Sequence, residues 1–162
     1  MPKSYYEDLI LATHGNVTPS NKQIDHDLPR TFPTHPWLET PEGQAILRRV
    51  LVGYSFRDSE VGYCQGLNYV DALLLLVMKT EEDAFWMLVV LLENVLVNDC
   101  YTDNLYGCHV EQRVFKDLLV KKKSPRIAAH LEAMGFDVSL VVTEWFFVPF
   151  LQVFTLKAFN LC

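Results

Sequence analysis

From residue 40 onward, apolar positions recur at the three- and four-residue spacing of a single helix face. Thr40 stands where an N-cap belongs, with Pro41 at the first helical position. Ile46, Leu47, Val50, Leu51 and Tyr54 then form a stripe, with Arg48 and Arg49 turned away from it. Thr80 followed three residues on by Asp83 is a capping-box arrangement, opening a helix that runs toward Val97. Val110, Val114, Phe115, Leu118 and Leu119 make another one-sided stripe. It ends in Lys121, Lys122 and Lys123, where cations suit the negative end of a helix. Ser124 and Pro125 open a further helix with apolar Ile127, Leu131 and Met134, and Gly135 as its stop. Residues 138–153 are rich in valine and phenylalanine and are assigned helix against a strand alternative. Polar or proline-rich connectors are expected at 14–22, 31–41, 57–62 and 98–107. No Asn-Gly hairpin, alternating strand pattern or internal repeat occurs, so the expected fold is all-α in one domain.

Two stretches, 72–78 and 84–92, are entirely apolar and raise the question of a membrane span. Lys79, Glu81, Glu82 and Asp83 separate them, so neither reaches the ~18 uncharged residues that a spanning helix needs. Two buried helices joined by a charged turn fit better. Half of the 162 residues are hydrophobic and 21% are charged, enough for a packed core and against global disorder. The net charge of −6 argues against a nucleic-acid binder, which needs a basic face to displace counterions from phosphates. Cys64, Cys100, Cys108 and Cys162 form no CxxC pair and read as reduced thiols, neither staples nor zinc ligands. The first residues carry no apolar signal segment.

Four short segments could carry chemistry. Asp25-His26-Asp27 has the form of a metal-binding D-x-D, but a divalent ion wants more convergent oxygens, and a solvated helix turn is the simpler reading. Within Gly62-Tyr63-Cys64-Gln65-Gly66, Cys64 lies just before a helix start. It could act as a thiolate nucleophile, with His26, His35, His109 or His130 as its base. Free cysteine is also a common packing residue, and nothing in the sequence draws a histidine to it. Lys121, Lys122, Lys123 and Arg126 form a basic cluster, explained by a solvated helix end and too small for firm attraction to anionic lipid. Lastly, Asp27 and Arg30 are three residues apart and share a face on one helical turn, just before a proline-fixed exit. Taken alone, that is an ordinary surface ion pair.

Together, the segments around Arg30 and Gln65 resemble the TBC domain of Rab GTPase-activating proteins. The I-x-x-D-x-x-R pattern of that family falls on Ile24, Asp27 and Arg30, and its Y-x-Q pattern on Tyr63 and Gln65. The flanks Leu28-Pro29-Arg30-Thr31-Phe32-Pro33 and Val61-Gly62-Tyr63-Cys64-Gln65-Gly66-Leu67-Asn68 are similar too. Glu144-Trp145-Phe146 resembles the later tryptophan motif, so the likeness runs from about Tyr5 to Phe146.

The resemblance implies an all-helical domain that accelerates GTP hydrolysis by a GTP-bound, Rab-type small GTPase. Arg30 would be an arginine finger and Gln65 a glutamine finger, both supplied in trans. Ile24, Asp27, Tyr63 and Asn68 would support them. No metal or cofactor is expected on this chain, because magnesium and nucleotide belong to the GTPase. The implied setting is the cytoplasm, extending to peripheral contact with endomembranes in vesicle trafficking, with no nucleic-acid partner. The family pattern departs at both ends: an arginine- and tryptophan-bearing first segment and an R-x-W-D-type segment after Phe146 are missing. The expectation is therefore one partial domain over 1–162, its finger-bearing half followed by an incomplete second half. Residues 147–162 would be a divergent apolar terminus that leaves the chain poorly soluble or marginally stable. Two alternatives stand beside this: a truncated module that binds a GTPase or another partner without accelerating it, and a thiol hydrolase centred on Cys64.

Overall fold

Four helix starts in the first part of the chain, at Ser4, Thr18, Thr40 and Thr80, are marked by a side chain that meets an otherwise orphaned backbone N–H. The computed structural model describes residues 4–96, 101 and 106–137. In α1 (Tyr5–Thr13), Ser4 and Glu7 make a reciprocal capping box. In α2 (Pro19–Asp27), the Thr18 side chain accepts from the Asn21 N–H and Pro19 fills the first helical position. This helix therefore begins inside the connector expected over 14–22; the Thr-Pro start signal outweighs the polar composition that suggested a loop.

α2 passes into a single 3₁₀ turn, Leu28–Arg30, and then into an irregular segment leading to α3 (Pro41–Arg57). Thr40 caps α3 as expected, its side chain accepting from the Gly43 N–H at 3.0 Å. α4 (Leu67–Val77) and α5 (Glu81–Val90) follow. Thr80 accepts from the Asp83 N–H at 3.1 Å and donates its hydroxyl to the Asp83 carboxylate at 2.8 Å. The carboxylate is thereby drawn to the Thr80 hydroxyl. α5 ends in one wider π turn, Leu91–Val95; Val97 lies outside the described residues.

The chain divides into two compact units, Met1–Asn98 and Asp99–Cys162. In the first, α3 is the central helix, packed against α1, α2, α4 and α5. Its predicted stripe is buried at Leu47, Val50, Leu51 and Tyr54, and burial extends all round the helix through Val52 and Ser55. Phe85 and Leu88 of α5 and Leu67, Ala72 and Leu75 of α4 complete this core. Arg48 and Arg49 turn outward, as the stripe predicts, but each reaches a neighbouring helix. Arg48 holds Asp25 of α2 at 2.6 Å, and Arg49 holds Glu81 of α5 at 2.5 Å. At the far end Arg57 pairs with Glu93 at 2.7 Å while lying over the rings of Tyr5 and Trp86, 5.5 Å from each centroid. Gly43 lets the segment before α3 close down on the helix. A Cβ there would stand 2.3 Å from the Trp37 carbonyl oxygen, a clash with backbone that no rotamer relieves.

In the second unit, α6 (Tyr106–Phe115) runs on as a π-type segment, Lys116–Lys123, before α7 (Pro125–Ala133). The expected stripe is not a buried face: Val110, Val114 and Leu118 are exposed, as are Ile127 and Met134. Val110 and Val114 lie within the regular helix α6, before the π segment, so the spacing does place them on one face, but that face is exposed. Ser124 sits at the start of α7 without a side-chain capping bond, and its carbonyl accepts from Ile127 and Ala128 instead. Gly135 ends the helix as expected, with φ of +64° and a Schellman bond from Phe136 N–H to the Leu131 carbonyl at 2.9 Å. The described residues contain helices and no strand, and none of these helices is long and apolar enough to cross a membrane. Residues 138–153, the Glu144-Trp145-Phe146 motif and 147–162 lie outside the described residues.

Candidate functional site

The centre of the candidate site is a carboxylate at the last residue of α2. Asp27 is completely buried, so its charge has to be met by directed donors. The Tyr63 hydroxyl donates to one oxygen at 2.8 Å, and the Arg30 guanidinium holds the other. His26 brings Nδ1 to within 3.4 Å of the oxygen that Arg30 holds. Asp27 and Tyr63 are 36 residues apart in sequence, so this one side chain joins two distant segments. Burial, and then the bond to Asp27, push the Tyr63 hydroxyl above its usual pKa, which keeps it a proton donor at neutral pH. The Asp25-His26-Asp27 run is thus not a uniformly solvated helix turn. Asp25 faces Arg48 and His26 is exposed, but Asp27 is core. No group of His, Cys, Asp and Glu able to hold a metal occurs among the described residues.

The sequence places Arg30 by two constraints. Pro29 fixes the 3₁₀ turn that follows α2, and the i to i+3 spacing returns the guanidinium to Asp27. The side chain stays 46% exposed, so one part is held while the rest faces outward. Immediately afterwards Thr31 is buried, and its hydroxyl donates to the Asp27 backbone carbonyl at 2.8 Å. Phe32 then takes a left-handed backbone, φ +47°.

The second segment answers the first. Ile24, fully buried, anchors α2 behind Asp27, and Tyr63 is buried at the other end of the Asp27 bond. Gln65 is exposed. Gly66 precedes α4 with φ +111°, a conformation costly for any side chain, and its N–H donates to the Asn68 side-chain oxygen at 3.0 Å. The Asn68 amide in turn donates to the Thr31 hydroxyl at 2.7 Å. One turn of α4 thus grips the residue after Arg30 and the residue after Gln65 with a single buried amide. Tyr69 adds a bond from its hydroxyl to the Arg30 carbonyl at 3.1 Å and sets its ring edge-on to Phe32, 5.3 Å between centroids.

Cys64 is half-buried and its thiol donates to the Gln65 carbonyl at 3.6 Å. Two of the histidines named as its base have other duties: His26 faces Asp27, and His35 Nδ1 accepts from the Trp37 and Leu38 N–H groups at 3.3 Å each. His109 sits in α6 beside Gln112, and His130 belongs to α7. Thr31, Phe32 and Tyr69 are the members that the sequence reading passes over. Thr31 and Phe32 stand in the family-like flank around Arg30 without a role of their own, and Tyr69 is signalled by position alone, one helical turn after Gln65.

Comparison with known proteins identifies the family of the chain. The family model of the Rab-GTPase-TBC domain matches residues 3–160. TBC1 domain family member 2B of Xenopus tropicalis is 42% identical over 150 residues, covering 91% of this chain and 16% of that protein. Human TBC1 domain family member 2A is 42% identical over 147 residues, covering 90% of this chain and 16% of that protein. This chain therefore spans 16% of the length of these curated relatives. Among solved structures, the flagellar RabGAP TBC domain of Chlamydomonas superposes with a TM-score of 0.77 at 34% identity, over 91% of this chain and 48% of that one. The Ypt/Rab-GAP domain of Gyp1p, at 21% identity and a TM-score of 0.75 over 90% of this chain and 54% of that one, shares the fold. On a family match across nearly its whole length, and on a fold shared with two solved Rab-GAP domains, the chain belongs to the Rab-GTPase-TBC domain family.

Proposed function

We propose that this chain accelerates GTP hydrolysis by a Rab-type small GTPase in its GTP-bound state, with Arg30 and Gln65 entering the partner's nucleotide site. One observation supports this above the others. The buried Asp27 carboxylate holds Arg30 directly and holds Tyr63, two residues before Gln65, while Arg30 stays half-exposed and Gln65 exposed. A buried lattice that presents one guanidinium and one amide outward suits a task performed on another molecule.

The chemistry fits both groups. Phosphoryl transfer spreads negative charge over the transferred and leaving oxygens, and a guanidinium neutralises it with several directed donors. An amide has a donor and an acceptor, so Gln65 can orient the attacking water while bonding the γ-phosphate. Asp27 fixes the Arg30 side chain before the GTPase arrives, which lowers the ordering cost at the moment of reaction. Magnesium and nucleotide come with the GTPase.

The test is phosphate release from a panel of GTP-loaded Rab proteins, with and without the chain. Where acceleration is found, Arg30→Ala should abolish it, a loss of roughly 10³–10⁵ in rate or about 4–7 kcal/mol of barrier. Arg30→Lys should fail as well, since a point charge does not replace a planar fork. A lysine variant that melts normally and still accelerates hydrolysis would overturn the assignment. Binding without acceleration across the whole panel would leave a module that engages the GTPase alone.

A further inference from the structure

We propose that Tyr69, at the first turn of α4, is a positioning residue that fixes the backbone from which Arg30 projects. The inference rests on the reading of Arg30 as a finger. Arg30 is held at two ends. Asp27 receives its guanidinium, and the Tyr69 hydroxyl donates to its carbonyl oxygen at 3.1 Å. The second tie matters because the backbone just beyond is unusual. Phe32 has φ +47° and is the one positive-φ residue other than glycine among the described residues. Bulky L side chains rarely adopt that region, and they stay there only when the surroundings over-determine it.

Those surroundings are visible. Thr31, between Arg30 and Phe32, is buried and bonded to the Asp27 carbonyl and to Asn68. The Phe32 ring meets the Tyr69 ring edge-to-face at an interplanar angle of 86°. Tyr69 thus touches both sides of Thr31: its hydroxyl takes the residue before, and its ring takes the residue after. It is only half-buried, whereas the core face of α4 is made by Leu67, Val70, Ala72 and Leu75. Its removal should therefore spare the fold. The same helical turn follows Gln65 directly, so Tyr69 also registers the arginine segment against the glutamine segment.

The experiment is a comparison of Tyr69→Phe, Tyr69→Leu and Arg30→Ala in the full chain, using the Rab protein that responds best to the unaltered chain. Tyr69→Phe keeps the ring contact and loses the hydroxyl; it should lower kcat about tenfold while leaving KM within about twofold. Tyr69→Leu loses both and should lower kcat further, toward ~10²-fold. A rise in KM at unchanged kcat would make Tyr69 a GTPase contact and overturn the inference. Unchanged kinetics in Tyr69→Phe, alongside an inactive Arg30→Ala, would also overturn it and leave the finger reading standing. An active Arg30→Ala would defeat the finger reading instead. Amide hydrogen exchange decides the positioning role without turnover. The Thr31 and His35 N–H groups, bonded to the Leu28 and Phe32 carbonyls at 3.1 and 2.9 Å, should exchange faster in Tyr69→Phe while α3 and α5 keep their protection. No change at those two amides refutes the proposal whatever the activity.

Discussion

Asp27 concentrates several demands on two oxygens. A buried carboxylate that loses its donors is left charged in a low-dielectric surround, so Arg30 and Tyr63 serve stability as well as display. The residues of this lattice were unevenly legible. Asp27, Arg30, Tyr63 and Gln65 stand in recognisable spacings, and the three-residue step from Asp27 to Arg30 already predicts a shared face. Thr31 stands in a family-like flank without a stated role and Tyr69 carries no mark, because what recruits them is a loop conformation that only tertiary contacts impose. The resemblance gives Asn68 a supporting role without partners, and the structure supplies them: the Thr31 hydroxyl and the Gly66 N–H. At this scale Gln65 yields a sharp expectation. If its amide orients the attacking water, a Rab whose own catalytic glutamine is changed to leucine should still be accelerated. Gln65→Ala should then remove most of that acceleration while ground-state binding falls much less. Single-turnover hydrolysis alongside a binding titration would measure both. A leucine Rab that never responds, with Gln65→Ala silent on the normal Rab, would reduce Gln65 to a residue of the helix start.

Elements were read best where local chemistry decides them. Thr40-Pro41 and Gly135 mark real boundaries because caps satisfy backbone groups that any helix end leaves open. Reading failed where a one-sided stripe stays exposed, as along α6, and where composition masked a start, as at Thr18-Pro19. α4 hides a second feature behind its apolar run. Asp71 is wholly buried, and neither carboxylate oxygen has a hydrogen-bond partner among the described residues. Burial raises its pKa well above 3.8, so the folded chain keeps a proton that the unfolded chain releases. The stabilisation from that proton is complete below the unfolded value and is lost as pH rises through the folded one. Asp71→Ala should therefore be more stable than the parent at pH 7.5, by about 1–3 kcal/mol. The gap should shrink toward pH 5 by up to ~1.4 kcal/mol per pH unit. Thermal or urea unfolding at the two pH values checks it; a gap that stays constant would mean that Asp71 folds ionised.

For the molecule as a whole, the sequence pointed to an all-helical chain without a basic face, and its description agrees in class. It did not foresee how much apolar surface the second unit leaves outward, since a stripe read from spacing says which residues share a face and not what covers it. Val110, Val114, Leu118, Ile127 and Met134 are all exposed. Against the modest repulsion of a net charge of −6, these should drive self-association as concentration rises. Sedimentation velocity should show it, and Val114→Lys combined with Ile127→Glu should weaken it by roughly tenfold or more. A strictly monomeric parent at high concentration would show that these side chains are already occupied. The Asp27–Tyr63 bond has a consequence for recombination. Because that contact and the Asn68–Thr31 bond both cross α3, neither outward-facing side chain is modular. A chimera exchanging only the stretch around Arg30, or only the stretch around Gln65, would inherit half of a joint. The smallest transplantable cassette runs from Ile24 through Tyr69, with its central helix included.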